Sequence, residues 1–75
     1  MSAPAPDSKL LIKLVETPMP FGKYQGRLLV DLPEPYLLWF QRKGFPPGEI
    51  GYLLHLTLEI NVSGCIDMVK RLKYA

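Results

Sequence analysis

The side chains of this sequence that can do chemistry on a ligand gather in one stretch, Phe21-Gly22-Lys23-Tyr24-Gln25-Gly26-Arg27. Lys23 and Arg27 carry charge suited to a phosphate, and Tyr24 between them offers a ring on which a base can stack. Arg42 and Lys43 add two cations at the expected end of the next helix. Lys23, Tyr24, Arg27, Arg42 and Lys43 therefore form the candidate nucleic-acid-binding set, provided the fold gathers them into one patch. The plain structural reading stands beside it: the first three decorate a solvated turn, and the last two meet a helix dipole.

Covalent catalysis finds no comparable set. A serine nucleophile needs a base, yet the only histidine, His55, lies in an apolar segment, and neither Ser8 nor Ser63 has a partner in sight. Asp31 and Glu34 are three residues apart ahead of an apolar run, a spacing that helix capping explains. The Gly22–Gly26 loop lacks the glycine-lysine spacing of a phosphate-binding P-loop. One histidine and one cysteine cannot supply a four-ligand zinc site. The expectation is a protein that is not an enzyme and holds no metal or cofactor, with Cys65 a small buried residue and His55 structural.

The elements that must position the basic stretch can be read from its neighbours. Gly22 and Gly26 read as the shoulders of a tight reversal between two extended arms, a short two-stranded β-hairpin. Pro18 and Pro20 lack backbone donors, so the first arm can only be an edge strand. Such a hairpin is marginal alone and must lie on helices, with Phe21, Leu28 and Leu29 as its anchors. A helix over 9–16, capped by Ser8, precedes it and stops before Pro18. Asp31 and Glu34 predict a capping box for a helix over 33–43, whose face carries Leu32, Tyr36, Trp39 and Phe40 and which ends at Gly44.

After the rigid Phe45-Pro46-Pro47-Gly48 connector, residues 48–61 form a helix. Ile50, Leu53, Leu54, Thr57 and Leu58 make its buried face, and Tyr52, Leu56 and Ile60 a second apolar stripe. That stripe is either core or an interface for a protein partner or a second copy of the chain. Ser63 predicts the cap of a last helix over 65–73, with Ile66, Val69 and Leu72 inward. The fold expected is thus α+β: a hairpin packed on three or four helices in one compact domain over 8–75.

Composition agrees with a small core. The chain has 75 residues, 48% of them hydrophobic and 11% aromatic, so it can pack a core although a domain of this size has little surface to bury. A net charge of +2 is too small to speak for nucleic acid without local clustering. Residues 1–7, rich in Pro and Ala, read as a flexible tail without the apolar region of a signal peptide. The longest apolar run, Tyr36 to Phe40, is far short of a membrane span, so the expected location is the cytoplasm, with no membrane partner.

Met-Pro-Phe-Gly-Lys-Tyr-x-Gly at 19–26, Asp-Leu-Pro at 31–33, Tyr-Leu-x-Trp-Phe at 36–40 and Gly-Phe-Pro at 44–46 resemble a small bacterial family of unknown function. The family is labelled "putative quorum-sensing-regulated virulence factor", and the likeness runs from about Leu10 to Leu72. A similar Phe-Gly-Lys-x-x-Gly segment, leading into a Pro-x-x-Tyr helix, occurs in the C-terminal region of exodeoxyribonuclease X-like exonucleases. That second likeness implies a module that accompanies nucleic-acid enzymes; the nuclease's acidic metal site has no counterpart here. Gln25 replaces a lysine frequent in the motif, and Ser63 and Cys65 replace an Asn-Gly-Leu pattern. The reading that results is a non-enzymatic binding module with nucleic acid as ligand. The alternative is a protein-interaction or self-associating module using helix 48–61.

Overall fold

The computed structural model describes residues 8–74; the expected tail over 1–7 lies outside them. The described residues form four α-helices, α1 (Ser8–Glu16), α2 (Glu34–Lys43), α3 (Glu49–Val62) and α4 (Ile66–Lys70), with 3₁₀ turns at Leu29–Asp31 and Arg71–Tyr74. No β-strand occurs among them, so the chain is helical rather than α+β and the expected hairpin is absent.

Its place is taken by a closed loop. A single antiparallel bridge pairs Pro18 with Leu28. Around it, the Met19 N–H donates to the Arg27 carbonyl at 2.7 Å, the Gly26 N–H to the Met19 carbonyl at 2.8 Å, and the Leu29 N–H to the Thr17 carbonyl at 3.0 Å. The pairing stops there for two reasons. Pro18 and Pro20 have no N–H to continue a ladder, and beyond Leu28 the chain coils into the 3₁₀ turn instead of running on. Inside the loop, the Gln25 N–H reaches the Gly22 carbonyl at 3.1 Å and the Arg27 N–H the Tyr24 carbonyl at 3.0 Å. Two consecutive tight turns make the reversal. Gly22 and Gly26 keep their predicted turn role, with φ of 81° and 91°.

The loop is fastened from below. Met19 is 1% exposed, and with Leu29 and Val30 it joins Leu14 and Val15 of α1, Leu37 and Phe40 of α2, and the α3 leucines in one core. Of the three expected anchors, Leu29 is in that core and Leu28 packs partly buried against it, while Phe21 is not part of it. α3 lies at its centre and packs against α1, α2, α4 and the first 3₁₀ turn. Leu56 and Ile60 are only 6% and 8% exposed, so the second stripe of α3 is core, and Tyr52 alone of the three stays at the surface. Thr57, the one buried polar side chain among the described residues, donates to the Leu53 carbonyl at 2.7 Å.

Several predicted caps move. The helix at 34 begins after Pro33, with no side-chain cap; Asp31 belongs to the preceding 3₁₀ turn, so the capping box does not form. Gly44 does end α2, its N–H donating to the Phe40 carbonyl at 2.6 Å. Ser63 closes α3 rather than opening α4: its hydroxyl donates to the Ile60 carbonyl at 2.9 Å. α4 is shorter than expected, Val69 is buried, and Leu72 is exposed.

Candidate functional site

α2 and the glycine loop meet along a row of rings. Leu37 and Phe40 turn into the core and fix the rotation of α2. Tyr36 then falls at the border of the buried face, and Trp39, about 160° around the helix from Leu37, falls outside it. Tyr24 of the loop packs edge-on against Tyr36 with centroids 4.7 Å apart. Tyr36 meets Phe40 at 5.1 Å, Trp39 meets Phe40 at 5.1 Å, and Phe21 meets Phe40 at 6.4 Å, all close to perpendicular. Pairs of this kind contribute about 0.5–1.5 kcal/mol each beyond the area they bury. Of these pairs, Tyr24–Tyr36 and Phe21–Phe40 join the loop to α2.

Between them lies a groove of about 680 Å³. The loop supplies Phe21, Gly22, Lys23 and Tyr24; α2 and its approach supply Pro33, Pro35, Tyr36, Trp39 and Phe40. Two rings keep substantial surface in it: Trp39 is 44% and Phe21 39% exposed. Prolines and aromatics give the groove stiff, flat walls with few rotamers to freeze when a ligand enters.

Three of the five predicted ligand residues are brought together. The Lys23 ammonium lies 5.5 Å and the Arg27 guanidinium carbon 5.3 Å from the centroid of the Tyr24 ring. Both are within cation–π range of Tyr24; Lys23 lines the groove, and Arg27 is brought near it through Tyr24 without lining it. The Tyr24 ring, engaged by Tyr36 and by these cations, is a support for them; the open stacking surfaces are Trp39 and Phe21. Arg42 and Lys43 stand in the last turn of α2, as expected, and do not line the groove. Lys43 is one helical turn beyond Trp39, on the same side of the helix.

The Tyr36 phenol is a half-buried polar group of this arrangement. Its oxygen lies 2.8 Å from where a side-chain carbon on Gly22 would stand, so the missing side chain makes room for it. Burial pushes its pKa above the ordinary phenol value, and the neighbouring Tyr24 adds to the shift. The phenol is thus a neutral hydrogen-bond donor.

Phe21 and Trp39 are the site residues that sequence reasoning assigned to the core. A signal for Trp39 exists: it shares its turn with exposed Gln41 and Arg42, while Leu37 and Phe40 already define the inward face. For Phe21 the signal is its place between Pro20 and Gly22, where no regular element can press it inward. Elsewhere, His55 is half-exposed, 3.3 Å from the Glu59 carboxylate and 5.1 Å from the Phe45 ring. Cys65 is exposed, contrary to its expected burial, because it stands at the start of α4 rather than on an inner face. Among the described residues no three His, Cys, Asp or Glu side chains gather to hold a metal ion, and no helix is long and apolar enough to cross a membrane.

The chain is 52% identical over 68 residues to "Uncharacterized protein YpeB" of Escherichia coli strain K12, covering 89% of this chain and 94% of the relative. The protein of the same name in Escherichia coli O157:H7 matches equally. Neither likeness extends to an exonuclease, and no solved structure matches significantly. The model of the bacterial family described as "Putative quorum-sensing-regulated virulence factor" matches residues 7–72, and the chain belongs to that family.

Proposed function

We propose that this chain is a non-enzymatic binding module that takes a single strand of nucleic acid in the groove between the glycine loop and α2. The observation that carries the reading is the pairing of open rings with nearby cations: Trp39 and Phe21 exposed in the groove, Lys23 and Arg27 set against Tyr24 beside them. Stacking serves any base, and the two cations complement the phosphates between successive bases. A duplex, whose bases are already stacked on one another, offers no free face to Trp39. Leu56 and Ile60 are buried, so the stripe on α3 offers no comparable surface to a partner or a second copy.

Trp39 is the only tryptophan and reports directly on the groove. Titration with a short single-stranded oligonucleotide is expected to quench its fluorescence at low salt, with affinity falling as salt rises and a matched duplex binding more weakly. A folded protein whose Trp39 emission responds to no oligonucleotide at low salt overturns the proposal. A response to a proline-rich peptide alone reassigns the groove to a protein partner.

A further inference from the structure

The groove's walls are apolar apart from a few groups, and two of those, the Tyr24 and Tyr36 phenols, stand where its two sides meet. Tyr36 is clamped between the Tyr24 and Phe40 rings at 4.7 Å and 5.1 Å, which fixes the direction of its hydroxyl. That hydroxyl rests over Gly22, where the backbone leaves space for it. Among the described residues it enters no hydrogen bond. Nor is it sealed away, since no buried side-chain polar atom among them lacks a partner. It therefore keeps a free, oriented donor at the wall of a groove lined mainly by carbon. A few fixed polar groups in an apolar site decide which ligand fits, because a ligand that cannot answer them leaves them desolvated.

We propose that Tyr36 is a specificity-determining residue, whose hydroxyl donates to an exocyclic carbonyl oxygen of a base seated on Trp39 and Phe21. This rests on the single-strand reading of the groove and adds a preference to it. Thymine, uracil, guanine and cytosine present such an oxygen. Adenine presents none and leaves the hydroxyl unpaired. An ordinary phenol is neutral at physiological pH, and burial moves this one further upward, so the donor persists through that range. The two cations contact only phosphate and contribute affinity to every sequence alike.

The test compares oligothymidylate, oligodeoxyinosinate and oligodeoxyadenylate of one length at one salt concentration, read by Trp39 fluorescence. Inosine is a purine carrying a carbonyl, so it separates the hydrogen bond from ring size. The wild type is expected to bind the thymidylate and the inosinate about fivefold more tightly than the adenylate, the worth of one neutral hydrogen bond. Tyr36→Phe keeps the ring contacts and should lose that preference while still binding all three. Thymidylate-over-adenylate preference without a matching inosinate preference, or a preference unchanged in Tyr36→Phe, overturns the role of Tyr36 and leaves single-strand binding standing. Failure of all three to bind removes both.

Discussion

α2 and α3 are both rich in apolar side chains, yet they do opposite things with them. α3 is surrounded: every neighbouring element packs on it, and seven of its residues are buried, Leu56 and Ile60 included. α2 has only Leu37 and Phe40 buried, and its Trp39 and Leu38 face outward. The contrast shows that apolar content states how much surface wants cover, while the arrangement of neighbours decides which surface receives it. On α3 the leucines and Ile60 are covered, while Tyr52 and Val62 stay exposed. On α2 an aromatic face is left beside a loop that carries charge, and that is the place where a ligand can be gripped.

The seat of the connector on α3 is tightest at Gly51. A side-chain carbon there would collide with the Pro46 carbonyl oxygen, a backbone atom that cannot swing aside. Gly51→Ala is expected to cost about 3 kcal/mol or more, measured by denaturant unfolding. A fully stable variant would mean that the connector does not seat on α3 as described.

The next contrast sets one residue of each helix against the other. Leu56→Ala should cost about 2–3 kcal/mol of stability through the cavity it leaves, with binding by the remaining folded protein unchanged. Trp39→Ala should cost only about 0.5–1.5 kcal/mol of stability, the worth of its ring contact with Phe40, and weaken single-strand binding by about 1–3 kcal/mol. Equal effects of both on stability would erase the distinction between the covered helix and the open one.

Much of α3 was legible from its pattern, because Leu53, Leu54, Thr57 and Leu58 repeat at helical spacing, and Gly44 and Pro18 punctuate the chain where α2 and α1 end. The loop was not. Gly22 and Gly26 announce a reversal, but whether its arms pair as strands depends on the path of the chain beyond Leu28, and only the packing of Leu29 and Val30 under α1 decides that. The Asp31–Glu34 spacing misled in the same way: the 3₁₀ turn places Asp31 upstream of the helix start. At the candidate site, the cation pair was legible in Lys23, Tyr24 and Arg27. The open rings were harder to read: the polar neighbours of Trp39 and the Pro20–Gly22 setting of Phe21 hint at exposure, but how far the core extends is decided by packing from elsewhere in the chain.

Smaller effects sharpen the account of the groove. Replacing Lys23 and Arg27 together with Ala should lower the slope of log affinity against log salt by about 1.4, two phosphate contacts on a single strand. An unaltered slope would place the phosphates elsewhere, with Arg42 and Lys43 next to be tested. The smallest effect is alkaline. Tyr36 titrates above its ordinary value in the folded chain, so its contribution to stability is complete below the ordinary phenol range and is lost as pH rises through the raised pKa. Tyr36→Phe should therefore flatten the alkaline fall in melting temperature; an identical fall in both proteins would show that the phenol is not held neutral by the fold.

Met19 gives the loop a vulnerability of a different kind. Its thioether is the plug that seats the loop in the core, 1% exposed, whereas Met68 on α4 is 66% exposed. Oxidation turns a thioether into a polar sulfoxide that an apolar core rejects. Mild peroxide should thus modify Met68 with little consequence and spare Met19 for as long as the loop stays seated. Once the loop opens far enough for Met19 to react, the sulfoxide cannot return beneath Leu29 and Val30, and the groove is lost with it. The rate at which Met19 gains oxygen, tracked by mass spectrometry, is then a clock for loop opening.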